Sequence, residues 1–185
     1  VELWSTAYNQ FGEDPLPYYI EPEFSPVSKP ELMDEYPLVM TSGARFWGMF
    51  HSEHRQIERM RHYRPWPLME IHPDTAAKYG IKDGDWVWME GPLGRAKRKA
   101  KLTPIMDRRL VSCDHGWWFP EEDGEEPHLY DVWRSNINEL IPHFMVGKLG
   151  FGAPFKCLIC SVKPVSENYD TDMMEVWDHF GKLVI

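Results

Sequence analysis

Short apolar runs separated by turn-forming residues recur along most of this chain. They predict strands at 36–41, 68–71, 86–90, 110–113 and 157–163, because β-branched and aromatic residues are concentrated there. Between positions 94 and 102, Ala96, Arg98, Ala100 and Leu102 alternate with three lysines, which predicts a further strand with its lysine face in water. Short strands, few helices and long connections predict a mainly β fold, a small β-barrel carrying loops.

The remaining pattern predicts short helices and two flanking segments. Helices are expected at 52–64, with Ser52 as N-cap, and at 73–79, ended by Gly80. Prolines and acidic residues make 1–35 an extended lead-in segment, followed by a barrel over 36–165. Within 166–185, Met173, Val176 and Trp177 lie on one face of a predicted amphipathic helix.

Composition narrows the class of function. The chain has 185 residues and a net charge of -9, which argues against nucleic acid or a membrane surface as partner, since both are polyanions. It has no apolar run long enough to span a membrane. Its three cysteines suit a reducing compartment, which favours a cytoplasmic location. Because the chain opens on Val1 rather than Met, we expect an excised piece or a processed product.

Two candidate reactive sites are weak on spacing alone. His51, His54 and His62 lack a second pair of metal ligands. Cys157 and Cys160 are three apart in a predicted strand, which directs their sulfurs to opposite sides and disfavours both a metal site and a redox pair. No nucleophile motif or phosphate-binding loop is present, so we assign no catalytic residue and no metal ligand.

The stretch 41–55 has the chemistry of an anion-binding loop. Glycines allow backbone N–H groups to approach a ligand, and arginines offer planar donor pairs that match phosphate oxygens. The residues that bring these properties together are Thr41, Gly43, Arg45, His51, Ser52 and Arg55.

Three later stretches add features suited to a heterocyclic ligand. The aromatic loop that begins His115-Gly116-Trp117 either is buried or covers a planar ligand, and burial is the safer expectation. Asn136 and Asn138 could read the edge of a heterocycle, or could cap turns. Lys156 precedes the last strand. Together with the anion loop, these residues predict a large ligand that is both charged and heterocyclic.

Five motifs in order carry a family resemblance. They are Thr41-x-Gly-x-Arg45 followed by His51-Ser52-x-x-Arg55, the segment from Glu70 to Val87 containing His-Pro-Asp-Thr-Ala-Ala-Lys-Tyr-Gly-Ile-Lys-Asp-Gly-Asp, Gly94-Arg95 before a strand, His115-Gly116-Trp117-Trp118-Phe119-Pro120-Glu121, and Asn136-x-Asn138-x-Leu140. This series resembles the C-terminal molybdopterin-dinucleotide-binding domain of the dimethyl sulfoxide reductase family of molybdenum and tungsten oxidoreductases, on its anaerobic dehydrogenase branch.

The resemblance implies a six-stranded double-psi β-barrel whose loops hold a molybdopterin guanine dinucleotide. By position, it implies contact to phosphate or pterin from the residues of the anion loop, and from His115, Gly116, Trp117, Asn136, Asn138 and Lys156. His72 stands where the family often has asparagine, which affects a helix cap. The family's metal-ligating and iron-sulfur residues belong to domains outside this chain, so the isolated chain is predicted to be inactive.

Two arrangements remain open from the sequence. The chain is either the cofactor-binding domain of a larger enzyme, with the remaining domains as its partners, or a free-standing small subunit that completes a site on a large catalytic chain. Neither the substrate nor the choice between molybdenum and tungsten follows from these residues.

Overall fold

The computed structural model describes residues 3–144 and 154–165, and its centre is a closed barrel. The strands are β1 Leu38–Ala44, β2 Leu68–Ile71, β3 Trp86–Gly91, β4 Gly94–Leu102, β5 Leu110–Asp114 and β6 Lys156–Pro164. Their order around the barrel is β1-β5-β2-β4-β3-β6. The pairs β1/β5 and β2/β4 are parallel, and the other four are antiparallel. The predicted mainly β, six-stranded barrel is confirmed.

Apolar side chains, which alternate with less buried ones along the strands, fill the interior of the barrel. On β2, for example, Met69 and Ile71 are buried, whereas Leu68 and Glu70 are only half-buried. Burial of such an alternating face stabilises a strand in proportion to the apolar area removed from water. Fully or nearly fully buried side chains inside the barrel include Met40, Met69, Ile71, Val87, Met89, Val111, Leu158 and Cys160.

Short helices lie in the connections. They are α1 Thr6–Gln10, α2 Glu58–Tyr63, α3 Pro73–Lys78 and α4 Val132–Ser135, with 3-10 turns at Pro30–Leu32, Leu129–Asp131 and Ile137–Leu140. The expected cap role of His72 is confirmed, since its Nδ1 accepts the Asp74 backbone N–H at 3.0 Å. No helix within 3–144 or 154–165 is long and apolar enough to cross a bilayer. The helix expected within 166–185 lies outside the described residues.

The helix predicted over 52–64 begins six residues late. It starts at Glu58, with Ile57 as an N-cap whose side chain makes no capping bond. The Ser52 hydroxyl instead accepts a bond from the Arg55 side chain. The Glu53 carboxylate accepts the backbone N–H groups of His51 and Ser52, and these local side-chain bonds compete with the first turn of a helix.

The lysine face predicted on β4 is only partly in water. Lys101 is exposed, as expected. Lys97 and Lys99 are half-buried, with their ammonium groups 4.6 and 4.5 Å from the ring centres of Trp86 and Trp66. Burial lowers the pKa of Lys97 to about 8. The expectation was wrong for these two lysines because aromatic rings from outside the strand cover their stems.

The cysteines on β6 behave as strand geometry predicts. Cys160 is buried in the barrel and Cys157 is exposed, so their sulfurs do point to opposite sides.

Candidate functional site

Three chain segments meet at one end of the barrel, which we call the site end. Strands β1 and β5 finish side by side, with Ala44 opposite Asp114, and His115 follows directly. Strand β6 begins there, with Lys156 opposite Thr41. Pairing of these strands therefore brings the 41–55 loop, the 115–117 loop and Lys156 together from distant parts of the sequence. Gly43 lies on β1 within this group.

A buried stack joins the first two loops. The guanidinium of Arg55 lies 3.4 Å from the ring centre of Trp117, and the two residues are 4% and 1% exposed. Arg55 also donates from Nε to the Ser52 hydroxyl and from Nη1 to the Met49 sulfur, both at 2.9 Å. Burial lowers the pKa of Arg55 to about 9. The guanidinium is thus directed inward, where it holds loop against loop.

The same two loops approach closely through their backbones. Gly116 has a φ of +61°, and a Cβ placed there would lie 2.8 Å from the His51 carbonyl oxygen. Trp118 donates its indole N–H to the Ser52 carbonyl at 2.7 Å. A glycine is needed at 116 for both its left-handed backbone and this contact. The expected burial of the aromatic loop is confirmed for Trp117 and Phe119.

Two histidine rings, one exposed and one half-buried, meet edge-on at this junction. The ring centres of His51 and His115 are 5.1 Å apart, and Phe155 packs edge-on against His115 at 5.5 Å. His115 Nδ1 is buried and has no hydrogen-bond partner among the described residues. Burial, followed by the charges of His51, Arg45 and Arg98, lowers the pKa of His115. Its imidazole is therefore neutral at neutral pH, with one nitrogen available to a polar group.

A groove of about 200 Å³ lies at the site end, along the last residues of β5. Arg45 and Arg64 contribute cationic walls, and Ser112, Asp114 and Glu70 contribute oxygen atoms. Arg45 is exposed, with its guanidinium 4.7 Å from the Phe50 ring centre. Planar cationic donors that remain open to solvent can bind an anion without first breaking an internal bond.

Asp114 is the carboxylate at the base of the site end. The spacing of motifs in the sequence did not identify it as a site residue. Its Oδ2 accepts the Leu68 backbone N–H at 2.9 Å, and its Oδ1 lies 3.7 Å from Arg64 Nη1. Burial raises the pKa of Asp114, while Arg64 and the Leu68 N–H oppose that shift. Asp114 is placed here because β5 runs one residue further than its apolar pattern indicates.

Arg98 is the second residue that sequence reasoning missed. It is completely buried, and its Nε, Nη1 and Nη2 have no hydrogen-bond partner among the described residues. Its burial was readable from the alternation along β4, which groups it with Ala96 and Ala100 rather than with the lysines. The signal available in the sequence was a cationic residue at a position that the alternation assigns to the buried face of the strand.

The two asparagines lie against a different part of the barrel. Asn136 caps a 3-10 turn by accepting the Asn138 backbone N–H at 3.0 Å, and Asn138 is exposed. This turn packs on the β3–β4 hairpin, where a Cβ on Gly94 would lie 2.8 Å from the Glu139 carbonyl. The interpretation of Asn136 as a turn cap is therefore correct.

The histidines weighed as metal ligands form no metal centre in this part of the chain. No group of three or more His, Cys, Asp or Glu side chains suited to a metal ion occurs within 3–144 and 154–165. The described side chains of the site end include imidazole and guanidinium groups together with the Asp114 carboxylate.

Known proteins are similar to this chain in sequence and in fold. The family model described as "Molydopterin dinucleotide binding domain" matches residues 38–149. The chain is 39% identical over 147 residues to a dopamine dehydroxylase of Eggerthella lenta, covering 77% of this chain and 14% of that protein. It is 39% identical over 124 residues to the acetylene hydratase of Syntrophotalea acetylenica, covering 67% of this chain and 17% of that protein.

A solved structure agrees with these sequence matches. The acetylene hydratase from Pelobacter acetylenicus superposes with a TM-score of 0.75 at 30% identity, over 88% of this chain and 23% of that one. The chain therefore spans less than a quarter of the length of each of these relatives. Since the family model matches more than half of its residues, the chain belongs to the molydopterin dinucleotide binding domain family, as found in molybdoenzymes of the dimethyl sulfoxide reductase type.

Proposed function

We propose that this chain is the cofactor-binding domain of a larger molybdenum or tungsten enzyme, and that its site end holds a molybdopterin guanine dinucleotide jointly with the other domains. The observation that carries the proposal is the concentration of open cationic groups, Arg45 and Lys156, beside a neutral His115. Family membership supports the dinucleotide as ligand. The small share of each relative that the chain covers favours a domain of a longer protein over a free-standing subunit.

The described residues fit such a ligand. Arg45 and Lys156 are exposed, so their charges can reach phosphate oxygens. His115 Nδ1 is buried and has no hydrogen-bond partner in the described part of the chain, which leaves hydrogen-bonding capacity at the junction of the loops. A buried polar atom without a partner is costly, and a polar ligand group would offset that cost.

The geometry separates residues that would touch the cofactor from residues that would place them. We assign phosphate contact to Thr41, Gly43, Arg45 and Lys156. Arg55, Ser52, Gly116 and Trp117 hold the two loops together, since Arg55 is only 4% exposed and bonded inward.

Two further groups of contacts complete the proposed cofactor-binding site. We assign contact with a polar edge of the pterin to His51 and His115, whose rings meet edge-on at the junction of the two loops. Asn138 and the Asn136 amide would read another heterocycle edge from the turn beside β4. When bound, the cofactor supplies the metal centre and its reactivity, while this chain supplies binding and orientation.

The test is cofactor content of the complete enzyme. Each charge-assisted hydrogen bond from Arg45 to phosphate contributes about 1.5 to 3 kcal/mol. We therefore expect Arg45→Ala to lower pterin and metal content after purification, measured by fluorescence of the oxidised pterin and by mass spectrometry of the metal. Arg59→Ala, an exposed cation on α2, is the matched control and should change neither.

The isolated chain provides a second readout. It should bind guanosine diphosphate or pyrophosphate weakly, at millimolar concentrations in an NMR titration, and should catalyse no reaction. Unchanged cofactor content in Arg45→Ala, or turnover by the isolated chain, would contradict the proposal. The reading frame upstream of Val1 distinguishes a domain from a separate subunit.

A further inference from the structure

A completely buried arginine without a partner is unusual and needs an explanation. Arg98 lies between the buried residues Ala96 and Ala100 on β4, with 0% exposure. No hydrogen-bond acceptor meets Nε, Nη1 or Nη2 in the described part of the chain. Moving a guanidinium out of water costs several kcal/mol unless charges and hydrogen bonds compensate. A methionine of similar shape would fill this position without that cost.

Strand register places Arg98 at the site end. Its neighbour Lys99 lies opposite Leu68 on β2, and Met69 lies opposite Cys113 on β5. The residue that follows Cys113 is Asp114, whose carboxylate accepts the Leu68 backbone N–H. Arg98 therefore enters the barrel interior at the level where β5 ends and the 115–117 loop begins. The charge of Arg98 acts on both neighbours: it contributes to the lowered pKa of His115 and opposes the burial that raises the pKa of Asp114.

Charge is not balanced around this point. Arg55, Arg64 and Arg98 all act on Asp114, the carboxylate buried among them. The nearby acids Glu70 and Glu121 are already paired, with Lys101 at 2.9 Å and Arg61 at 2.8 Å. The described residues of the site end thus carry excess positive charge inside or next to a low-dielectric barrel, where charge acts over longer distances than in water.

We propose that Arg98 is an electrostatic positioning residue: a cation sealed inside the barrel that strengthens binding of a diphosphate group at the site end without touching it. The inference rests on the proposed function and adds to it a residue that neither the motifs nor the exposed surface identifies. It also explains why an arginine is kept where an apolar residue would pack at lower cost.

The size of the effect follows from the strand spacing. Strands β4 and β5 flank β2, so they are on the order of 10 Å apart. A unit charge at that distance, with an effective dielectric constant of about 20, changes the affinity for an anion on the order of tenfold.

The experiment compares Arg98→Met and Arg98→Lys in the full chain, with inorganic pyrophosphate as the probe. Arg98→Met should weaken pyrophosphate binding about five- to tenfold while the Tm stays unchanged or rises. Arg98→Lys, which keeps the charge, should retain affinity within about twofold. Lys78→Met removes an exposed cation from α3, which follows the other end of β2, and serves as the control.

A ligand-independent readout accompanies the titration. The pKa of His115, followed by NMR of its imidazole, should move upward in Arg98→Met, since Arg98 is one of the charges that lower it, beside His51 and Arg45. Arg98→Lys should leave that pKa near the wild-type value. A residue with a merely structural role would not produce this pattern.

The outcomes separate the inference from the proposed function. Pyrophosphate affinity that is unchanged in Arg98→Met, or an Arg98→Met chain that fails to fold, would overturn the inference and leave the proposed function standing. Absence of any pyrophosphate binding by the wild-type chain would overturn both.

Discussion

The Arg55–Trp117 stack should couple the two loops of the site end strongly enough to measure. The guanidinium lies 3.4 Å from the ring centre, and both residues are nearly fully buried. A desolvated cation–π pair contributes about 2 kcal/mol. Trp117→Leu alone should lower the free energy of unfolding by about 2 to 4 kcal/mol, because the smaller side chain leaves a cavity that the surrounding residues fill only partly.

Arg55→Met should cost less than its contacts suggest. It removes the charge-assisted bond to the Ser52 hydroxyl at 2.9 Å, which contributes about 1.5 to 3 kcal/mol. It also removes the desolvation cost that lowers the pKa of this arginine to about 9. We expect these effects to offset each other in part, so the single variant does not measure the stack.

A double-mutant cycle does measure it. Urea unfolding of the wild type, the two single variants and the double variant should give a coupling free energy of about 2 kcal/mol. Arg61 is the matched control, since its guanidinium lies 5.6 Å from the same ring and is paired with Glu121. Arg61→Met with Trp117→Leu should couple by less than about 0.5 kcal/mol. Equal coupling for the two arginines would refute the stack as the link between the loops.

Two further predictions concern the same region. Gly116→Ala should cost about 2 kcal/mol or more in urea unfolding, because it combines a left-handed backbone with a Cβ 2.8 Å from the His51 oxygen. Gly84→Ala is the control, since φ is +84° and no atom of the described residues would lie within 4 Å of the new Cβ; it should cost about 1 kcal/mol, and equal costs would contradict the contact at Gly116. Burial raises the pKa of Glu139 from 4.5 to about 7, so the folded state binds the proton more tightly and the free energy of unfolding falls as pH rises from 4.5 to 7. Glu139→Gln should remove about 1 kcal/mol of that fall, a value reduced because the side chain is partly exposed. An unchanged dependence of Tm on pH in this variant would contradict the prediction.

The strands were predictable because their signals are local. Alternation along β2 and the aromatic content of β3 act within a few residues, and turn-forming glycines bound them. The turn at Asn136, one of the two alternatives that the sequence left open, also depends on a local bond, whereas the cap at His72 followed from the family resemblance.

The conformation of 45–57 was not predictable, because distant residues decide it. Ser52 would cap a helix in isolation, but its hydroxyl is occupied by Arg55, which in turn lies on Trp117. The sequence alone does not distinguish the two arginines of the anion-binding pattern, whereas the fold buries Arg55 and leaves Arg45 exposed. Motif spacing can therefore place a residue at a site without giving its role there.

The site end contains arginines in three different environments, and their physical chemistry differs accordingly. Arg45 is exposed, so in the proposed function it would lose side-chain conformational freedom on binding an anion. Arg55 has lost that freedom already and orders the loop that carries Arg45. Arg98 is completely buried, so in the role proposed above it would act on an anion through its positive potential and not through contact. Affinity for an anion at this end should then depend on contact, order and potential together, and only the contribution of contact is visible in the sequence motif.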